Sequence, residues 1–282
     1  MNKKVKTARL SIISNTFLIT MKVVAGILSG SVSIISEAIH SSMDLVAAII
    51  AFISVRISDN PPDERHPYGH GKIENISGVI ESLLIFAAAL WIITEAVRKL
   101  MGEDIFLESL WLGSSVMFIS ALVNIFVSRK LYKVARETNS VALEADALHL
   151  KTDVYSSAGV ALGLLLIIIT DIKWLDPLIA ILVALFIIYE AGLLLKKAFT
   201  PLLDTAWEKN EISELEKKLT DMEISYHNLR TRCAGNQRFI DMHIEVPENV
   251  SVGNAHAYCD MIEKELSQSY DNLTVTIHVE PL

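Results

Sequence analysis

The sequence predicts an α-helical membrane domain of six transmembrane helices followed by a small cytosolic α+β domain. Three observations predict it. Of 282 residues, 51% are hydrophobic and the mean hydropathy is positive. The apolar residues come in blocks near the roughly 20 residues that span a bilayer. Those blocks stop near residue 200, and ordinary soluble sequence follows. The expected division is residues 1–205 as the six-helix transmembrane domain and 206–282 as a cytosolic domain.

The spans follow in order. Lys3, Lys4, Lys6 and Arg9 precede an apolar helix over 10–28. That run is long and no small-residue cleavage pattern follows it, so it is expected to stay as a span. Ser29-Gly30-Ser31 turns the chain into a second helix, 32–57. A polar loop over 58–72 leads to a third helix, 76–100, and a short acidic loop to a fourth, 110–131. The basic and polar stretch 132–142 reads as a connection. The fifth helix covers 143–170, and Pro177 starts the sixth, which ends near Lys196-Lys197.

Most basic residues fall on one side of this six-span arrangement: the N-terminal group, Arg56, Arg65, Lys72, Arg129, Lys130, Lys133, Arg136, Lys196 and Lys197. Arg98, Lys99 and Lys173 fall on the other. The positive-inside rule therefore puts both termini in the cytoplasm of a multi-pass protein in the lipid bilayer of the cell's inner (plasma) membrane.

The tail reads as helix 208–222, strands 226–232 and 239–246 around a Cys-Ala-Gly-Asn turn, helix 252–270 and strand 273–279. The order αββαβ suggests a small open sheet with helices on one face, ferredoxin-like or metallochaperone-like. A net charge of −8 with no basic face excludes a nucleic-acid partner. Cys233 and Cys259 form no CxxC and are expected to be reduced and without a role.

Two spans carry one pattern. Glu37-Ala-Ile-His40-Ser-Ser-Met-Asp44 and Asp146-Ala-Leu-His149-Leu-Lys-Thr-Asp153 each place an acid, a His three on and an Asp four further. Residues four apart share a helix face. Ionisable groups inside a membrane helix are costly, about 2.5–3.5 kcal/mol each on insertion scales, so two such faces point to function. Together His40, Asp44, His149 and Asp153 would give one ion four ligands. That donor set suits Zn²⁺ and tolerates Cd²⁺, Co²⁺ or Fe²⁺ better than the harder Mn²⁺.

The loop holds a second cluster, Asp63, His66 and His70, with Gly69 and Gly71 available for a tight turn. In the tail, period-two alternation puts His243 on the polar face of one strand and His278 with Glu280 on that of another. His227, at the beginning of the first strand, and His256, early in the second helix, are placed to join them. All eight histidines fall in these three clusters. No nucleophile, general-base pair or phosphate loop stands beside the His/Asp faces, so an enzyme is not expected. The alternative to transport is a membrane-anchored metal sensor whose tail binds metal.

Six spans, the paired HxxxD faces, His66-Pro-Tyr-Gly-His-Gly-Lys72 and the αββαβ tail together resemble the cation diffusion facilitator family. Tyr226-His-Asn-Leu-Arg-Thr-Arg-Cys-Ala-Gly235 is similar to its bacterial zinc/iron-efflux members. The resemblance implies a homodimeric antiporter exchanging a cytosolic divalent cation for protons. It implies a transport site at His40, Asp44, His149 and Asp153, and a loop site at Asp63, His66 and His70. It further implies a regulatory site at His227, His243, His256, His278 and Glu280, where the family usually has Asp in place of Glu280. Lys72 and Asp204 match a salt-bridge pair tying the membrane domain to the tail.

Overall fold

The computed structural model describes the backbone of residues 2–29, 32–101, 110–170 and 174–282. Side chains at 29, 32–37, 39–40, 99, 110–114, 117, 160–170 and 176 lie outside the described residues. The chain forms two compact units, Met1–Phe199 and Thr200–Leu282.

Among the described residues, the first unit holds six helices: α1 (Lys3–Ser29), α2 (Val32–Ser58), α3 (Lys72–Leu100), α4 (Leu110–Thr138), α5 (Val141–Thr170) and α6 (Leu175–Phe199). Four are long and apolar enough to cross a membrane by length and composition, over Lys3–Leu28, Ser41–Ser58, Lys72–Arg98 and Pro177–Leu203. Two boundaries depart furthest from expectation. Helix α1 starts at Lys3, so its basic leader is helical. Helix α4 continues to Thr138 and takes up most of the stretch expected as a connection, leaving Asn139 and Ser140 between α4 and α5. The reason is packing: Leu131, Val134 and Ala135 bury their side chains in the bundle core, while Lys133, Arg136 and Glu137 face outward. Asn139, at φ +49°, ends the helix.

Helix α5 is shared by two cores. Its Ala142, Leu143, Ala147 and Leu150 pack with Ala8, Val55, Val127 and Leu131 of α1, α2 and α4. Its Ala145 and Leu148 pack with Ile85, Ala89, Ala184 and Ile187 of α3 and α6. A helix buried on most sides needs small residues to let neighbours approach, and α5 supplies alanines. Gly78 on α3 does the same: a Cβ there would lie 2.8 Å from Val141 Cγ1 and 3.0 Å from Ala198 Cβ. At the start of α3, the buried Glu74 accepts hydrogen bonds from Lys4 Nζ (2.9 Å), Ser58 Oγ (2.7 Å) and Ser140 Oγ, joining three other parts of the bundle.

The second unit opens with a 3-10 turn (Thr200–Leu203), then α7 (Lys209–Asp221), β1 (Tyr226–Ala234), β2 (Gln237–Val246), α8 (Val252–Ser267) and β3 (Leu273–Pro281). This is the expected αββαβ order. β2 is central, antiparallel to β1 and parallel to β3. Ile240, Met242 and Ile244 of β2 bury against Leu215 and Leu219 of α7 and Ile262 and Leu266 of α8. Both helices thus cover one face, and the alternate residues, His243 among them, line the other. Gly235, at φ +61°, makes the β1–β2 turn.

Gly78→Ala is expected to destabilise the full-length protein by about 1–3 kcal/mol, because backbone and side chains on two helices must give way. Gly192→Ala, whose Cβ would meet nothing nearer than Phe86 Cζ at 3.8 Å, is the matched control. Thermal melts in detergent should show a lowered midpoint for the first substitution and not for the second.

Candidate metal centres

The first centre is built from α2 and α5. Asp44 and His149 are both 7% exposed, and His149 Nε2 lies 3.1 Å from Asp44 Oδ1. Asp153, one turn on from His149, completes a set in which one ligand atom from each residue lies within 4.8 Å of the others. Asn124 of α4 approaches Asp153 Oδ2 at 3.5 Å, and Asn15 of α1 donates to the Asp44 carbonyl at 3.2 Å. Asp44 and Asp153 line a cavity of about 290 Å³ whose polar wall also includes Asn15, Lys22, Ser41 and Glu95. Lys22, buried, donates to Ser41 at 2.6 Å. His40 lies on α2 one turn before Asp44, but its side chain is outside the described residues.

A layer of acids lies behind this centre. Asp146 and Glu81 are both fully buried. Ser11 donates to Asp146 Oδ1 at 3.1 Å, and Ser77 to Glu81 Oε1 at 3.0 Å. Among the described residues, Asp146 Oδ2, Glu81 Oε2 and His149 Nδ1 are buried without a hydrogen-bond partner. Glu81 was not anticipated from the sequence. The signal available was a single carboxylate inside the apolar run Val79-Ile-Glu81-Ser-Leu-Leu84.

The second centre is the loop between α2 and α3. Asp63, His66 and His70 also offer ligand atoms within 4.8 Å of one another. His66 Nδ1 is 3.1 Å and His70 Nε2 3.4 Å from the Asp63 carboxylate, and the two imidazole rings are 4.5 Å apart. The backbone N–H groups of His66 and Arg65 donate to Asp63 Oδ1, and these bonds, the His66 one foremost, hold its carboxyl below the usual range. Gly69, at φ +81°, bonds back to the His66 carbonyl and closes the turn.

The third centre lies on the open face of the sheet. The register puts His227 opposite His243, His243 beside His278, and Glu245 beside Glu280. Glu280 collects three rings: His243 Nδ1 at 2.8 Å, His227 Nε2 at 3.2 Å and His278 Nε2 at 3.5 Å. The His243 hydrogen bond, helped by the neighbouring imidazoles, draws the Glu280 carboxyl below its ordinary value. His227, His243 and Glu280 meet the 4.8 Å criterion. A one-residue bulge on β1, with Asn228 at φ +56°, sets the aim of His227. Glu245 stands 3.6 Å from His227 and was not singled out in the sequence. His256 is not brought to this cluster: it is exposed on α8, and its nearest carboxylate partner is Asp260, one turn on, at 3.8 Å.

Lys72 is the first residue of α3. Asp204 follows the 3-10 turn at φ +52°, with Arg232 Nη1 3.4 Å from its carboxylate.

Residues 8–203 match the model of the cation efflux transmembrane domain, and 208–282 that of the cation efflux protein cytoplasmic domain. An uncharacterised transporter of Synechocystis sp. is 34% identical over 93% of this chain and 85% of its own length. The cation-efflux pump FieF of Shewanella oneidensis is 32% identical over 98% of this chain and 93% of its own. A solved structure of CzrB in its Zn form, 33% identical, covers 28% of this chain and 92% of that one, with a TM-score of 0.25. The matched family is one of membrane transporters of metal cations, so a multi-pass helical unit and an α+β tail each have their counterpart in it. The chain belongs to the cation diffusion facilitator, or cation efflux, family.

Proposed function

We propose that this chain exports a divalent transition-metal ion, Zn²⁺ foremost, from the cytoplasm in exchange for protons. The observation that carries the reading is the convergence of Asp44, His149 and Asp153 inside a helical bundle, where Asp44 and Asp153 line a cavity. A buried imidazole between two carboxylates is a donor set for a borderline cation, and His40 supplies the fourth ligand. Fe²⁺, Cd²⁺ and Co²⁺ suit the same donors, and Mn²⁺ less well.

Coupling follows from the ligands themselves. Metal binds imidazole only in its neutral form, and carboxylate as the anion, so loading expels the protons those groups hold. The return step, with the ion gone, takes protons in its place. Two states that expose the cavity to opposite sides make this an exchange cycle. His149 is hydrogen-bonded to Asp44 across two helices, so a change in the charge of either acts directly on how α2 and α5 meet.

The protein acts as a homodimer in the inner (plasma) membrane, with both termini cytoplasmic. Residues 1–205 transport, and 206–282 dimerise and sense metal. The loop set, Asp63, His66 and His70, holds an ion at the membrane surface. The tail set, His227, His243, His278 and Glu280, holds another, to which His256 contributes in the dimer. Glu280, one methylene longer than the family's usual Asp, reaches His227 and His243 with separate oxygens, which supports a bridging role.

In proteoliposomes with an imposed proton gradient, Asp153→Ala is expected to lower zinc flux at least about tenfold, the loss typical even of outer-shell metal partners. Undiminished flux would remove the site, and a membrane-anchored sensor would show that result.

Elemental analysis of the purified protein should separate the centres. His149→Ala is expected to lose the membrane-site ion and keep the tail ion, and His243→Ala the reverse. Equal metal content in all three proteins would show that neither histidine is a ligand.

A further inference from the structure

A groove of about 970 Å³ runs between α4, α5 and α6, on the side where α4 ends and α5 begins. None of the residues of the first metal centre lines it, and its lining combines cationic and apolar side chains. Ile125, Val154 and Leu193 are among the apolar ones, and Arg129, Lys133, Arg136 and Lys151 among the cations.

Depth makes those charges informative. Lys151 lies ten residues from Val141, the first of the 30 residues of α5, so it is about 15 Å along the axis. A helix of roughly 45 Å overhangs a hydrocarbon layer of about 30 Å by roughly 7 Å at each end. The Lys151 backbone is therefore below the headgroup boundary, within reach of it only for an extended side chain. Arg129 lies nine residues from Thr138, the end of α4, at similar depth. Charges placed there need a counter-ion.

The protein does not supply enough of them. Of the carboxylates in the groove, Glu137 is paired with Lys3, and Glu144 with Lys197 at 2.6 Å. Glu190 remains, against four cations. Among the described residues none of Arg129, Lys133, Arg136 and Lys151 has a carboxylate within 4.0 Å. Lys151 is also held in place, its ammonium 5.6 Å from the Tyr132 ring centre and 5.2 Å from that of Tyr155.

We propose that this groove binds an anionic phospholipid, its headgroup phosphate on Lys151, Arg129, Lys133 and Arg136 and its acyl chains along Ile125, Val154 and Leu193. Phosphate is the anion that a bilayer offers at the headgroup boundary, which an extended Lys151 side chain reaches, and the apolar lining suits a ligand with acyl chains. A second copy of the chain fits less well, because a two-fold axis through the groove would set cations against cations. Lys151 is two residues from His149, so the lipid braces the helix that carries the first metal centre. The proposal does not depend on that centre binding metal.

The test uses the full-length protein, purified in detergent, and native mass spectrometry with phosphatidylglycerol and phosphatidylcholine of matched chains. Wild type is expected to retain phosphatidylglycerol in preference to phosphatidylcholine. Lys151→Gln should lower that retention about fivefold, the factor for one cation near a phosphate. Lys151→Arg should keep it. Lys130→Gln is the control, since Lys130 is exposed on the same helix turn as Arg129 but does not line the groove. Melting in phosphatidylcholine nanodiscs checks that each variant is folded. Equal retention of the two lipids by wild type overturns the proposal. So does an equal loss in Lys130→Gln, which marks diffuse attraction, or displacement of the lipid by millimolar inorganic phosphate, which marks a plain anion site.

Discussion

A carboxylate and an imidazole meet, buried, between α2 and α5, and the packing of the membrane unit holds them there. Asp44 and His149 are 3.1 Å apart and 7% exposed. Either group alone would be an uncompensated polar side chain in a bundle surrounded by lipid, at a cost of several kcal/mol. Together they fix the facing of the two helices. This is why α5 is packed on nearly all sides, with alanines on the faces that meet the two cores. A helix free to rotate would part the pair.

The polar groups of the bundle are satisfied to different degrees at different depths. Near the start of α3 the Glu74 carboxylate accepts from Lys4, Ser58 and Ser140, so that network is closed. Around His149 it is open: among the described residues Glu81 Oε2, Asp146 Oδ2 and His149 Nδ1 have no hydrogen-bond partner. Buried polar atoms are seldom left unpaired, and here those without a partner among the described residues gather beside the first centre. The closed network holds the helix ends together, and the open one lies against the buried His/Asp set.

The element order of both units was legible because hydrophobic period is a strong signal. Period-two alternation in 239–246 and 275–280 named the faces of β2 and β3 correctly, and the burial of Ile240, Met242 and Ile244 follows it. The HxxxD spacing named Asp44, His149 and Asp153, which the fold brings together. The helix ends were not legible. Lys3–Arg9 and 132–138 are polar enough to read as loops, yet helices continue into water wherever one stripe still packs. Glu81 was missed because a lone carboxylate belongs to no spacing pattern. The bulge at Asn228 was missed because a strand register is a property of two strands, and only one is visible in any local window.

That bulge bears on how the tail cluster works. Without the extra residue, β1 would keep its alternation through Arg230 and turn His227 to the helix-covered face. With it, His227 stands opposite His243, and the two rings are 5.1 Å apart, with His278 a further 4.8 Å along the same face. Three imidazoles in a row across three strands are set by backbone pairing, not by side-chain choice, so their spacing is as rigid as the sheet. Glu280 reaches two of them with separate oxygens at the end of β3. His256 stands apart on α8, an exposed side chain on the one element of the set that the sheet does not align. The geometry of the tail therefore divides the five residues into a preformed row and a separate arm, and both lie within residues 208–282, which match the cytoplasmic-domain model.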